Sequence, residues 1–152
     1  MGNSKAKNSL GVKIYIETEV ADTFVAVGEM TDIPGILGDK TGKIDVTSFD
    51  STGYKEFISD GLKDAPEFSL KCNYIANDAG QARVTELGTS NANTKIKLEF
   101  NDQITPTTGN KTTIIRDGYV SGIPNITPSK GAQVMFEFSF QASGAPDVTL
   151  AS

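Results

Sequence analysis

Hydrophobic residues recur at every second position over most of the chain. In QVMFEFSFQA, residues 133–142, Val134, Phe136, Phe138, Phe140 and Ala142 fall on one face, and Gln133, Met135, Glu137, Ser139 and Gln141 on the other. An extended chain points alternate side chains to opposite sides, so this pattern predicts a half-buried β-strand. KIKLEFN repeats it, with Ile96, Leu98 and Phe100 inward and Lys95, Lys97 and Glu99 outward, and VKIYIE sets Val12, Ile14 and Ile16 against Lys13, Tyr15 and Glu17. FVAVGEM (24–30), FSLKCNYI (68–75) and TTIIRDGYVSGI (112–123) read as further strands. Gly118 interrupts the last as a bulge or bend. DVTL near the C-terminus adds a short edge strand.

One segment leaves this period. In NDAGQARVTELGTSN, Asp78 suits a helix N-cap with Gln81 three residues on, the spacing of a capping box. Ala79, Ala82, Val84 and Leu87 share an apolar face, and Gly88 suits the C-terminal cap. The prediction is mainly β: an antiparallel β-sandwich or partly closed barrel with one flanking α-helix and a long inter-strand loop. At 152 residues it is one domain, 1–152, with a flexible N-terminal arm over about residues 1–10.

The long loop is IDVTSFDSTGYKEFISDGLKDAPEF, residues 44–68. It exceeds a hairpin turn, carries too many glycines for one helix, and sets Phe49, Tyr54, Phe57, Ile58, Leu62 and Phe68 among charges. Asp50-Ser51-Thr52-Gly53 reads as a turn or helix start, and Asp60-Gly61 as the stop of a one- or two-turn helix.

Composition narrows the chemistry. The chain has no histidine, which removes the commonest general base and metal ligand. There is no CxxC, HExxH, GxSxG or GxxxxGK[ST], and the glycines are too scattered to cradle a phosphate. Asp45, Asp50, Glu56, Asp60, Asp64 and Glu67 lack calcium-loop spacing and read as solvated charge. The single cysteine, Cys72, alternates with Phe68, Leu70 and Tyr74 and reads as a small buried hydrophobe. A net charge of −5 disfavours a phosphate-gripping groove. No apolar run is long enough for a membrane helix, and MGNSKAKNSLG lacks a signal-peptide core, which predicts a protein made and kept in a cytoplasm. No catalytic residue, metal ligand or cofactor site is assigned, so function is expected in surfaces.

The order of elements carries a resemblance. VGEMTDIPG, then IDVTSFDSTGYKEFISDGLKDAPEFSLKCNY, then a short helix and a sheet, resembles the major tail tube proteins of long-tailed bacteriophages with flexible, non-contractile tails, over roughly residues 10–140. That resemblance implies a fold related to type VI secretion tube proteins and hexameric rings stacked into a hollow tube, the conduit for DNA delivery. It implies a virion protein assembled in the host bacterial cytoplasm, with tape measure, tube terminator and tail-tip proteins as partners, DNA passing the bore without specific binding, and no membrane. It makes the long segment an arm to a neighbouring subunit or ring, with Phe49, Asp50, Tyr54, Phe57 and Leu62 as candidate contacts. A loop folded back on its own core is the competing reading. The alternatives for the whole chain are a tube-terminating or head-joining ring of the same fold, a bacterial secretion tube protein, and a β-sandwich carbohydrate-binding module, the last disfavoured by the absence of tryptophan.

Overall fold

The structure is a computed structural model and describes residues 11–48, 50, 52–105, 108–128 and 130–152. The expected N-terminal arm and Phe49 lie outside the described residues.

The chain forms β1 (Lys13–Glu17), β2 (Phe24–Val27), β3 (Met30–Asp32), β4 (Lys40–Asp45), β5 (Phe57–Asp64), β6 (Glu67–Asn73), α1 (Ala79–Ser90), β7 (Asn93–Glu99), β8 (Thr113–Val120), β9 (Asn125–Thr127) and β10 (Met135–Thr149). One antiparallel sheet runs in the order β2-β1-β7-β8-β10-β6-β3, with β9 added beside β10, and β4 and β5 form a separate two-stranded sheet.

The segment expected to be one strand, FVAVGEM, is two. β2 and β3 lie at opposite edges of the sheet although only Gly28 and Glu29 separate them. The chain therefore crosses from one edge to the other at a corner where Glu29 takes a left-handed φ of 51°. This brings the edges together there and makes the sheet a partly closed barrel.

The helix N-terminus is stitched to that corner. The Asp78 carboxylate accepts from the Gln81 N–H (3.0 Å) and from the Gly28 N–H (3.2 Å). Gln81 does not complete the capping box. Its side chain accepts from the Ile75 N–H (3.0 Å) and donates to the Asn73 carbonyl (2.8 Å). The cap at the other end is Asn91 (φ 58°), not Gly88. Gly88 is buried inside the helix, where a Cβ would come within 2.4 Å of the Gly122 carbonyl oxygen. Ala79 and Ala82 are exposed, because glycines and Gln81 take the inner positions beside Val84 and Leu87.

Alternation is obeyed closely inside the barrel. Ile14, Ile16, Leu70, Cys72, Ile96, Leu98, Ile114, Val120 and the three phenylalanines of β10 form one core with Val84 and Leu87. Burial first, then the nearby Asp78 charge, pushes the Cys72 thiol up to about 11, so it stays neutral. Gly118 makes no bulge. It pairs regularly with Thr94 and Ala142, and a Cβ there would lie 2.0 Å from the Gln141 carbonyl oxygen. The irregularity is in β10, between Ser143 and Asp147, where Gly144 takes φ 79°. Beyond it Asp147–Thr149 resume pairing with β8, so DVT ends a long strand and is not a separate one.

The pleat makes one stability prediction. Phe138 is buried and Glu137 only pairs across the sheet with Lys71 at 3.9 Å. Phe138→Ala is expected to cost about 3–5 kcal/mol in denaturant unfolding, and Glu137→Ala no more than about 0.5 kcal/mol. Equal losses would contradict the face assignment.

Candidate functional site: an exposed hairpin on a buried clasp

The segment read as a long loop is a β-hairpin. Ile44 lies opposite Ile58, Lys43 opposite Ser59, and Asp45 opposite Phe57. Asp45-Val46-Thr47 closes the ladder at its outer end. Asp45 Oδ1 accepts from the Thr47 N–H (2.9 Å), the Glu56 N–H donates to Thr47 Oγ1 (2.8 Å), and the Val46 N–H donates to the Glu56 carbonyl (2.9 Å). The Thr47 hydroxyl and N–H hold the Asp45 carboxyl below its ordinary range.

Nor does Asp60-Gly61 end a helix; it makes a bulge. Ladder pairing shifts between Thr41 and Lys43, where Asp60, Gly61 and Leu62 stand against Gly42 alone. Gly61 supplies the positive φ, 80°, that the turn needs. Ser59 Oγ accepts from the Gly61 N–H (3.1 Å) and Asp60 Oδ1 from the Leu62 N–H (2.9 Å), so polar side chains fix the kink.

The hairpin buries almost nothing. Every residue of β5 is exposed. Tyr54 is 85% and Leu62 72% exposed, and Phe57 is exposed with the Lys43 ammonium 4.3 Å from its ring centre. Asp50 sits exposed in the tip. The described candidates, Asp50, Tyr54, Phe57 and Leu62, fall on one hairpin, whose exposed apolar residues occupy both faces. Phe57 shares its face with Lys43, whereas Ile44 and Ile58 lie opposite each other on the other face with Val46 two residues on from Ile44. Ile44 and Val46, exposed on that second face, are absent from the sequence-based candidates because a loop has no faces. The alternation I-D-V, flanking Asp45, was the available signal.

At its root the hairpin meets a buried arginine, also missed. Arg116 on β8 is 0% exposed. Its guanidinium forks onto Asp39, through Nη1 to Oδ1 and through Nη2 to Oδ2 (2.9 Å). The same two nitrogens donate to the Ile36 carbonyl (3.1 Å) and the Gly144 carbonyl (2.9 Å). The Arg116 hydrogen bond holds the Asp39 carboxyl below its ordinary range.

A cleft of about 420 Å³ lies among Val12, Met30, Ile33, Leu98 and Phe100, with Asn101 and Asp102 at its rim. The Asp102 carboxylate there accepts from the Thr112 N–H (2.8 Å) and hydroxyl (2.6 Å). Among the described residues no group of three or more Asp, Glu or Cys side chains is placed to hold a metal ion, and no helix is long and apolar enough to cross a membrane.

Solved structures place this architecture. A chain from the tail of an empty gene transfer agent particle with C6 symmetry superposes with a TM-score of 0.71, at 16% identity, over 95% of this chain and 99% of that one. A chain of the anti-feeding prophage baseplate, six-fold symmetrised, gives 0.66 at 4% identity over 99% and 98%. The SPP1 tail tube chain gives 0.54 at 14% identity over 91% and 77%. The fold is that of tail subunits. No protein-family model and no curated protein sequence matches the chain.

Proposed function

We propose that the chain is a structural virion protein, not an enzyme, which polymerises as stacked hexameric rings into the tube of a long, non-contractile phage tail. The observation that carries this reading is the β4–β5 hairpin. A lone two-stranded hairpin is at best marginal in water. This one exposes Ile44, Val46, Tyr54, Phe57, Ile58 and Leu62 together, an apolar set that monomers seldom display and that a subunit contact would cover. The shared fold with a C6-symmetric tail over nearly the whole chain supports sixfold rings.

Assembly contacts then fall on Asp50, Tyr54, Phe57 and Leu62, with Phe49 beside them in the sequence. Surrounding charges set register and exclude wrong partners. At −5 per subunit a hexamer carries about −30, which keeps DNA sliding through the bore instead of adhering to it. The tape measure, tube terminator and tail-tip proteins are the expected partners, the virion tail the location, and the host cytoplasm the place of assembly. The baseplate likeness supports a second reading, a ring that ends or joins a tube.

Negative-stain electron microscopy of purified protein at rising concentration tests both. Tubes that lengthen with concentration and show sixfold end views are the expected result. Rings that never stack would favour the second reading, and a monomer at every concentration, with a nucleating tail tip supplied, would refute both.

A further inference from the structure

Arg116 occupies an inward-facing position, in phase with Ile114 and Val120, where an apolar side chain would satisfy the core. Its neighbours on β8 show why it can reach out. Ile115 pairs with Asp147 and Asp117 with Ser143, so Arg116 stands opposite the bulge formed by Gly144, Ala145 and Pro146. The bulge turns the Gly144 carbonyl to the guanidinium, and β3's exit loop brings Ile36 and Asp39 to its other side. Lys40, the next residue, is the first of the hairpin, and it pairs with Asp64, the last. Three of the four Nη bonds thus tie the barrel to the segment that leads into the hairpin, and the fourth holds the guanidinium to the barrel's own bulge, while buried Nε has no partner among the described residues.

That arrangement is poorly explained by stability. A buried ion pair is often matched by apolar side chains of similar size, and an unpaired buried N–H costs free energy. What a forked guanidinium supplies, and an apolar group does not, is direction, because its donors have fixed angles. We propose that Arg116 is a positioning residue that sets the angle at which the β4–β5 hairpin leaves the barrel, and that assembly requires this angle. The second half rests on the tube reading; the first does not.

The test uses spin labels at Glu56→Cys on the hairpin and Ala82→Cys on α1, with buried Cys72 left in place, in soluble subunits. Electron–electron double resonance then reads the distance distribution. Arg116→Met with Asp39→Leu removes both partners, so no charge is stranded. The barrel is expected to melt within about 5 °C of the parent, while the distribution broadens about twofold or more as the hairpin swings. Arg116→Lys keeps the charge but loses the fork, and is expected to broaden it partway. If the double variant does not fold, the lysine variant decides alone. An unchanged width overturns the positioning role. Tubes forming at the parent's concentration from a broadened variant overturn the assembly requirement. Failure of the parent itself to form tubes would count against the tube reading and leave the distance measurement to judge the clasp.

Discussion

Truncating Tyr54 and Leu62 together to alanine is expected to abolish tube formation and to leave the melting temperature of the free subunit within about 2 °C. The asymmetry follows from exposure. With 85% and 72% of their surfaces in water, neither side chain has much to lose within its own subunit, and substitutions at such positions usually fall within about 0.5 kcal/mol. In a contact they are the large, central, desolvated kind of residue whose truncation costs about 2 kcal/mol or more. That is roughly thirtyfold in one contact's equilibrium, and each subunit of a ring would repeat it. Phe57→Ala is a less clean probe, because Phe57 already holds the Lys43 ammonium within the hairpin. Electron microscopy and differential scanning calorimetry on the same preparation read the two effects. Unimpaired tubes would remove Tyr54 and Leu62 from the contact. A fall in subunit melting comparable to that of Phe138→Ala would mean that the hairpin folds back onto its own barrel.

Why the hairpin was not legible as a hairpin is a matter of local signals. LKD and KTG lack β-branched alternation, Gly61 breaks the run at the bulge, and the strands face water on both sides, so beyond the short I-D-V alternation no hydrophobic period marks them. Where one face meets the core the period was sufficient: β7 and the first half of β10 follow it residue by residue. The helix was legible from Asp78 and Gln81, but its end was misjudged. Gly88 is needed for close approach to the Gly122 carbonyl, and Asn91 provides the left-handed cap instead. Gly118 is the same case on a strand. The sequence shows that a glycine is required and not whether conformation or contact requires it. The splitting of FVAVGEM across the barrel seam depends on Gly28 and on Asp78, fifty residues away, a contact no local pattern reveals. Arg116 was visible in principle, since the alternation that buries Ile114 and Val120 buries it too, and a buried arginine demands a partner. Naming Asp39 as that partner required the fold.

Hydrogen exchange separates an assembly arm from a packed loop without any mutation. In the free subunit the amides of β4 and β5 bond across the two-stranded ladder or, at Gly61 and Leu62, to neighbouring side chains of β5, at strands with no buried side, and among the described residues no third strand extends their sheet. Such a ladder opens locally at little cost, so protection there is expected to be about tenfold or less. The amides around Phe136–Phe140 sit inside the main sheet, with β6 on one side and β8 or β9 on the other. Their exchange requires opening on the scale of global unfolding, about 5–15 kcal/mol for a domain of this kind, and protection is orders of magnitude greater. In the tube the hairpin amides are expected to slow by about a hundredfold or more as neighbouring subunits cover them, while the core reference changes far less. The ordering carries an entropy cost, which weakens each isolated contact and makes assembly depend on many formed at once. The clasp at Arg116 limits that cost at the root, so Lys40 and Asp64 are expected to be better protected in the free subunit than Ile44 and Ile58 further out. Mass spectrometry of soluble subunits and of assembled tubes gives both comparisons. Protection of residues 44–64 in the free subunit equal to that of Phe136–Phe140 would rule out the arm and leave a hairpin held by its own barrel.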